Sequence, residues 1–242
     1  MNVRYDFITS KGGRGQNEDA IRIESCQGRY LFALADGLGS CGNGRIASDT
    51  AVNASAACFL SAADSPGILP EAIRKAQEEV LKKQEDDRSL AAMSTTLAVL
   101  YLGEKSAAWA HIGDSRVYYF ENGHLKDCTK DHSVPQLLVN LGEIRQDEVR
   151  GHPQQNRLLK VIGGEWTSNP FSVSEQYTLK GSESFLLCSD GFWEYIDESR
   201  MEECLISSAS PKEWLRRMDE IAREQASGTQ RDNYSAICIM VS

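Results

Sequence analysis

Long apolar runs are missing from this 242-residue chain. Stretches such as Leu31–Ala35 and Phe185–Cys188 fall far short of the roughly 20 residues that a helical bilayer span requires. The opening residues, MNVRYDFITSKGG, hold no apolar leader segment. A cytoplasmic location and no membrane partner are therefore expected. Basic charge is in deficit too, with 26 Lys and Arg against 35 Asp and Glu, a net charge of −9 and a pI near 5.0. No basic stripe offsets this, which argues against nucleic acid as a partner. Four histidines, and seven cysteines with no C-x-x-C, leave no zinc-ligand spacing. The odd cysteine count, with Cys188 and Cys238 in strand-like runs, fits free thiols in a reducing compartment better than disulfides. Cys41 stands apart in a glycine-rich loop, where a redox role is the alternative to weigh. Repeats, low-complexity tracts and linkers are absent as well, so one domain over residues 1–242 is expected.

What is present is a change of period along the chain. Val3–Ser10, Ala20–Glu24 and Tyr30–Ala35 have strand character, and residues 42–63 and Leu69–Asp87 carry apolar residues at helical spacing. From Ser94 the period becomes two: Thr95–Leu102, Ser106–Ile112 and Arg116–Glu121 read as strands, the last running into an Asn122-Gly123 turn. Residues 129–166 lose regular periodicity except for a short helix near Val134–Leu141, and so long a connection is a candidate functional flap. Strands return at Phe171–Leu179 and Ser184–Ser189, followed by helices Glu198–Ser207 and Pro211–Gln225 and a last strand, Tyr234–Val241. This order fits an α+β fold: a central antiparallel β-sandwich of two sheets flanked by pairs of helices, four layers α-β-β-α.

Several of the strands run into carboxylates. LFALADG ends at Asp36-Gly37, FLLCSDG at Asp190-Gly191 and AAWAHIGDS at Asp114, while Glu18 and Asp19 in RGQNEDAIRIE and Asp232 in RDNYSAICIMV precede strands. Taken singly, an Asp-Gly after a strand is a turn and an acid before one is solvated. Core strands of one sandwich bring their ends together, and converging carboxylates repel unless a cation sits among them. An all-oxygen set of this kind suits Mg²⁺ or Mn²⁺, and the Gly37 carbonyl is a further possible ligand. Two such ions, roughly 3.5–4 Å apart, lower the pKa of a bridging water and aim it at phosphorus. Arg14, five residues before Asp19, supplies a permanently charged, bidentate grip on a phosphate; alone it would read as a surface charge.

A rival motif is GLGSCG at residues 37–42, which matches G-x-G-x-x-G between a strand and a helix. A dinucleotide fold needs a second parallel strand after the helix, with an acid at its end about 20 residues on. Here a second helix follows, and the only acid at that distance, Asp64, lies in the turn AADSPG. Asp36 beside the first glycine would also repel a pyrophosphate.

The ordered segments resemble those of the metal-dependent serine/threonine phosphatases of type 2C, the PPM family, in its bacterial form. RGQNED (residues 14–19), ADGLG (35–39), MSTTL (93–97), IGDSR (112–116), TKDHS (129–133), LGEI (141–144), residues 152–163, LCSDG (187–191) and DNYS (232–235) carry the likeness over nearly the whole chain. The resemblance implies an enzyme that hydrolyses phosphoserine and phosphothreonine on other proteins, serine/threonine kinases and their substrates among them, by direct attack of a metal-bridging water without a covalent intermediate. It implies that Asp36 bridges two tightly bound Mn²⁺ or Mg²⁺ ions, that the Gly37 carbonyl joins the second, and that Asp190 and Asp232 complete the first. Glu18 and Asp19 would act through waters, Asp114 with Asp190 would hold a third, weaker ion, and Arg14 would bind the phosphate. Arg14, Asp36 and Asp190 are the catalytic expectation, and the chain is expected to be a monomer. Many members carry histidine after the Asp-Gly as the acid for the leaving group; here Leu38 takes that position, leaving His132 or a water as the alternative acid. The loop Ser40–Arg45 (SCGNGR) also departs from the family pattern. Two other readings are a different two-metal hydrolase acting on phosphodiesters, disfavoured by the acidic balance, and a binding module without catalysis, which would have lost some of these aspartates.

Overall fold

Strands of mostly apolar sequence bury both faces, and among the described residues LAVLYL, ESFLLC and YSAICIMV are buried at every position. Each therefore needs a covering layer on either side. The computed structural model, which describes residues 1–39, 43–62, 66–166, 168–228 and 230–242, supplies these layers. The elements of the N-terminal half are β1 (Val3–Ser10), β2 (Asp19–Cys26), β3 (Arg29–Leu38), α1 (Asn43–Ser61), α2 (Ile68–Asp86), β4 (Ser94–Thr95), β5 (Leu97–Leu102) and β6 (Ser106–Ile112). There follow β7 (Arg116–Glu121), β8 (His124–Cys128), α3 (Val134–Asn140), β9 (Ser172–Val173), β10 (Tyr177–Thr178), β11 (Glu183–Cys188), α4 (Asp190–Trp193), α5 (Glu198–Ile206), α6 (Pro211–Gln225) and β12 (Tyr234–Val241).

One sheet has the order β1-β12-β11-β7-β8, and the other β10-β6-β5-β3-β2, with β4 joined to β3 and β9 to β6. Every pairing is antiparallel. The inner faces meet in a core that includes Phe32, Leu34, Leu100, Trp109, Phe185, Leu187 and Ile237. On the outer face of the second sheet, α1 and α2 pack through small and aliphatic residues such as Ala47, Ala51, Phe59, Leu69, Ile73 and Val80. Trp193, Met201, Trp214 and Met218, from α4, α5 and α6, cover the first sheet. The four-layer α+β sandwich read from the sequence is the observed fold. Among the described residues no helix is long and apolar enough to cross a membrane.

Several elements differ from the sequence reading: α4 lies where no helix was expected, and the strand Thr95–Leu102 breaks at Thr96 into β4 and β5. The expected strand Phe171–Leu179 is two short ones, because the Ser174 hydroxyl takes the Trp109 N–H (3.0 Å) that a strand carbonyl would accept. β8, a polar edge strand, was not anticipated beyond its Asn122-Gly123 turn, whose φ values of 53° and 82° suit that dipeptide. Asp36 is also not a strand end, since β3 continues to Leu38 by pairing Gly37 with Thr95 and Leu38 with Ser94. Among the described residues α1 is followed by α2 with no parallel strand between them, in line with the rejection of the dinucleotide motif.

Candidate active site

Alternation along the strands decides where the carboxylates point. On β3, Leu31, Ala33 and Ala35 face the helices while Phe32 and Leu34 face the other sheet, so Asp36 is directed between the sheets. Asp19 lies directly opposite Asp36 in the β2–β3 register and shares the inward parity of Ile21 and Ile23. Two acids thus face one another where the sandwich opens. Thr96, Ser115, Ser189 and Ser235 have the same inward parity and are fully buried. They form a hydroxyl layer between the apolar core and the acids. Thr96 and Ser115 are bonded to each other at 2.7 Å, Ser189 donates to Asp19 Oδ2 at 2.9 Å, and the Ser235 N–H donates to Ser189 Oγ at 2.9 Å.

Around this pair the remaining acids arrive from loops and a helix start. Asp190 opens α4, and its carboxylate accepts the Gly191 N–H at 2.6 Å. Asp114 sits buried in the β6–β7 turn, where its carbonyl accepts from Trp193 Nε1 at 3.0 Å. Asp232 precedes β12 and accepts from Arg14 Nη2 at 2.6 Å. A cleft of about 380 Å³ is lined by Arg14, Glu18, Asp36, Gly37, Asp114, Asp190 and Asp232, with Leu38, Asn156, Leu158 and Asn233 completing much of its wall. Of the eight residues expected from the sequence, only Asp19 is not on the wall; it lies 1 % exposed against Asp36. Gly37 is required sterically, because a Cβ there would stand 2.2 Å from the Gly44 carbonyl oxygen at the start of α1.

Burial is the main force on these acids and like charge adds to it. Asp36 is held well above the ordinary carboxylate range by desolvation, then by Asp19, Asp190, Asp114 and Asp232. Asp114 is raised well above that range by burial and by Asp190. Burial pushes Asp19 up to about 7 and Asp190 up to about 6, the latter helped by Asp232. Such a cluster resists ionisation without a countercharge. Glu18 Oε1 and Asp19 Oδ1 are buried with no hydrogen-bond partner, so two acceptor oxygens remain to be satisfied. The all-oxygen donors and these orphaned atoms fit a hard divalent cation. Among the described residues no three such side chains are closed around one point, and Asp232 is bonded to Arg14. Asp36, Asp114, Asp190 and Asp232 nevertheless line one cleft, with Asp19 buried behind Asp36.

The sequence reading missed the residue that assembles the loops. Asn233 accepts the Glu18 N–H at 2.8 Å and donates to the Lys11 and Gln16 carbonyls at 3.0 and 2.9 Å, tying the Arg14 loop to the Asp232 loop. Its place beside Asp232 in DNYS was the available signal. Glu194 was also missed. Raised to about 8 by burial, Asp190 and Asp232, it accepts from Gln155 at 2.6 Å.

Residues 129–166 border the cleft through Asn156 and Leu158. The segment is pinned by the buried Arg116–Asp131 fork, two bonds of 2.8 Å, and by reciprocal Thr95–Ile162 backbone bonds. Arg150 adds a bond to the Trp193 carbonyl at 3.1 Å. His132 is not on the cleft wall. Its Nδ1 accepts from the Gly113 N–H at 3.2 Å, its Nε2 faces Ser172 Oγ at 3.0 Å, and its ring stacks on His111 at 4.7 Å. Burial, with His111 beside it, lowers its pKa to about 3. His132 is therefore neutral and engaged on both nitrogens, which removes it as the alternative acid. Arg45 donates to the Asp19 carbonyl at 2.8 Å; Cys41 and the rest of residues 40–42 lie outside the described residues, as does Asp64.

The fold is shared with solved bacterial serine/threonine phosphatases. The Mycobacterium tuberculosis phosphatase PstP/Ppp superposes with a TM-score of 0.87 at 27% identity over 99% of each chain. The PstP catalytic domain in complex with two manganese ions superposes with a TM-score of 0.84 at 26% identity, over 99% of this chain and 98% of that one. In sequence, the serine/threonine phosphatase stp of Listeria monocytogenes is 31% identical over 221 residues, covering 87% of this chain and 86% of that protein. PstP of Mycobacterium tuberculosis is 30% identical over 209 residues, 84% of this chain but 39% of that longer protein. The family model for Protein phosphatase 2C matches residues 13–227, and the chain belongs to that family.

Proposed function

We propose that the chain is a Mn²⁺- or Mg²⁺-dependent protein-serine/threonine phosphatase formed by one catalytic domain over residues 1–242, with residues 129–166 as its flap. The observation that carries this reading is the opposed Asp19–Asp36 pair, Asp19 buried and Asp36 on the wall of a cleft that is also lined by Arg14, Asp190 and Asp232. Asp36, the Gly37 carbonyl, Asp190 and Asp232 would hold two ions, with Glu18 and Asp19 acting through waters and Asp114 with Asp190 holding a third, weaker one. Bound there, the ions supply a water that is nucleophilic at neutral pH and positive charge against the phosphate oxygens. Arg14, whose side chain is 53 % exposed, can turn from Asp232 to grip the phosphate. Asn233 keeps the arginine loop in register with Asp232. No Ser, Thr, Cys or His is among the described residues lining the cleft, which favours water over an enzyme hydroxyl or thiol as nucleophile.

Substrates are phosphorylated proteins in the cytoplasm, serine/threonine kinases and their targets among them, and one copy of the chain carries every group that the chemistry uses. The test is hydrolysis of a phosphothreonine peptide with Mn²⁺, with Mg²⁺ and with excess chelator. Turnover with either ion and none in chelator is expected; full turnover in chelator, or a trapped phosphoenzyme, would sink the proposal.

A further inference from the structure

β1 is the outer strand of its sheet and carries VRYDFITS. Asn2 and Ser242 exchange both backbone hydrogen bonds, at 2.7 and 3.0 Å, and the register continues as Val3 opposite Val241 and Arg4 opposite Met240. In an antiparallel ladder hydrogen-bonded and non-bonded pairs alternate. The even-numbered residues of β1 thus bond to β12, and Val3, Tyr5 and Phe7 turn their N–H and C=O groups outward. Tyr5 and Phe7 are also 44% and 49% exposed, unusually open for aromatic residues on the inward side of a sandwich.

We propose that this edge pairs with the β1 strand of a second copy of the chain, antiparallel and centred on Tyr5. Charge selects the register. With outward groups only at odd positions, the two-fold arrangements are those centred on Val3, Arg4, Tyr5, Asp6 or Phe7, and those on Val3 and Phe7 set neither Arg4 nor Asp6 opposite a charge, so three remain in which charge decides. One sets Arg4 opposite the partner's Arg4, and another sets Asp6 opposite the partner's Asp6. The third is centred on Tyr5 and places Arg4 opposite the partner's Asp6 twice, at non-hydrogen-bonded positions where side chains approach most closely. It also sets Val3 against the partner's Phe7 and Tyr5 against the partner's Tyr5. The interface is self-complementary, as a two-fold contact demands.

The local bonds are compatible with this pairing. Arg4 is exposed and spends one guanidinium N–H on the Ala209 carbonyl at 3.1 Å, leaving others for the partner's Asp6. The Asp6 carboxylate covers the outward Phe7 N–H at 2.9 Å in the single chain. Pairing gives that N–H to the partner's Val3 carbonyl and releases Asp6 to the partner's Arg4.

Sedimentation from about 1 to about 300 µM tests this. The wild-type chain should convert reversibly from monomer to dimer with concentration. Arg4→Asp and Asp6→Arg should each weaken dimerisation by roughly tenfold or more, because each places like charges opposite one another twice. Their equimolar mixture should dimerise again, as should the doubly swapped chain. Tyr5→Pro should be monomeric, since it removes the central outward N–H without touching the β1–β12 ladder. Circular dichroism and phosphatase activity of every variant confirm folding. A wild-type chain monomeric throughout, single variants that associate as wild type does, or a mixture that stays monomeric would each overturn the proposal.

Discussion

Asp36→Asn should stabilise the metal-free protein while removing its response to metal. Burial and the neighbouring carboxylates raise the folded-state pKa of Asp36 well above 3.8, so the metal-free fold holds a proton there to higher pH than the unfolded chain does. A raised carboxylate makes stability fall as pH climbs from its unfolded value through its folded one. Asn has no proton to lose, and the difference between variant and wild type should grow from about pH 4 toward pH 7 by at most about 1.4 kcal/mol per pH unit. Relaxation of the carboxylates toward the open cleft reduces this, and about 2 kcal/mol at pH 7 is expected in chelator. For a chain of this length that is a rise in Tm of roughly 4–8 °C. Saturating Mn²⁺, at about 100 times its Kd, should add about 2.7 kcal/mol to the wild type and much less to the variant. Thermal melts from pH 4 to 8, with chelator and with Mn²⁺, read both effects. An Asn variant no more stable than wild type at pH 7 in chelator, or an equal Mn²⁺ response from the two proteins, would refute the charge-cluster reasoning.

Three further outcomes follow from individual residues. Arg14→Ala should raise KM by the equivalent of about 1.5–3 kcal/mol, the range for a lost hydrogen bond to a charged group, for both a phosphopeptide and an aryl phosphate; an unchanged KM for both would remove Arg14 from the site. Asp114→Ala should leave two tight metals in calorimetric titration yet lower kcat sharply at saturating substrate, and wild-type kcat with unchanged stoichiometry would reduce Asp114 to a turn residue. Because Leu38 cannot donate a proton and His132 is engaged and neutral, aryl phosphates should be hydrolysed faster than phosphoserine peptides, and Leu38→His should narrow the gap; equal wild-type rates on both would show that another acid already serves.

The sandwich and most of the candidate site were legible because both depend on short-range pattern. Continuous apolar runs such as LAVLYL declare strands buried on two faces, and an acid placed at or beside such runs is visible without coordinates. What escaped notice depends on partners distant in sequence. Asn233 looks like any loop amide until Lys11, Gln16 and Glu18 are brought to it. Glu194 reads as a solvated helix acid until Asp190, Asp232 and Gln155 surround it. β8 escaped because a polar edge strand buries too little to show a period, and the break in β9–β10 turns on one serine hydroxyl replacing a carbonyl. His132 misled for the same reason, since a histidine in a loop motif suggests acid chemistry and only its stacking on His111 and its two hydrogen bonds assign it to structure.

The β2–β3 hairpin also acts as a ruler. The opposed Asp19 and Asp36 form the eighth residue pair counted from its tight turn at Gln27-Gly28, which has φ values of 50° and 77°. Inserting one residue in a single arm would slide one acid past the other and turn the displaced side chains to the opposite face of the sheet. Matched insertion of one residue in each arm would keep the two acids opposite each other but aim both at the helices, about 3.4 Å further from the turn. Only matched changes of two residues per arm restore the inward direction, and those shift the pair by about 7 Å relative to Asp190 and Asp232. Length variation in this part of the chain should therefore be confined to the turn itself.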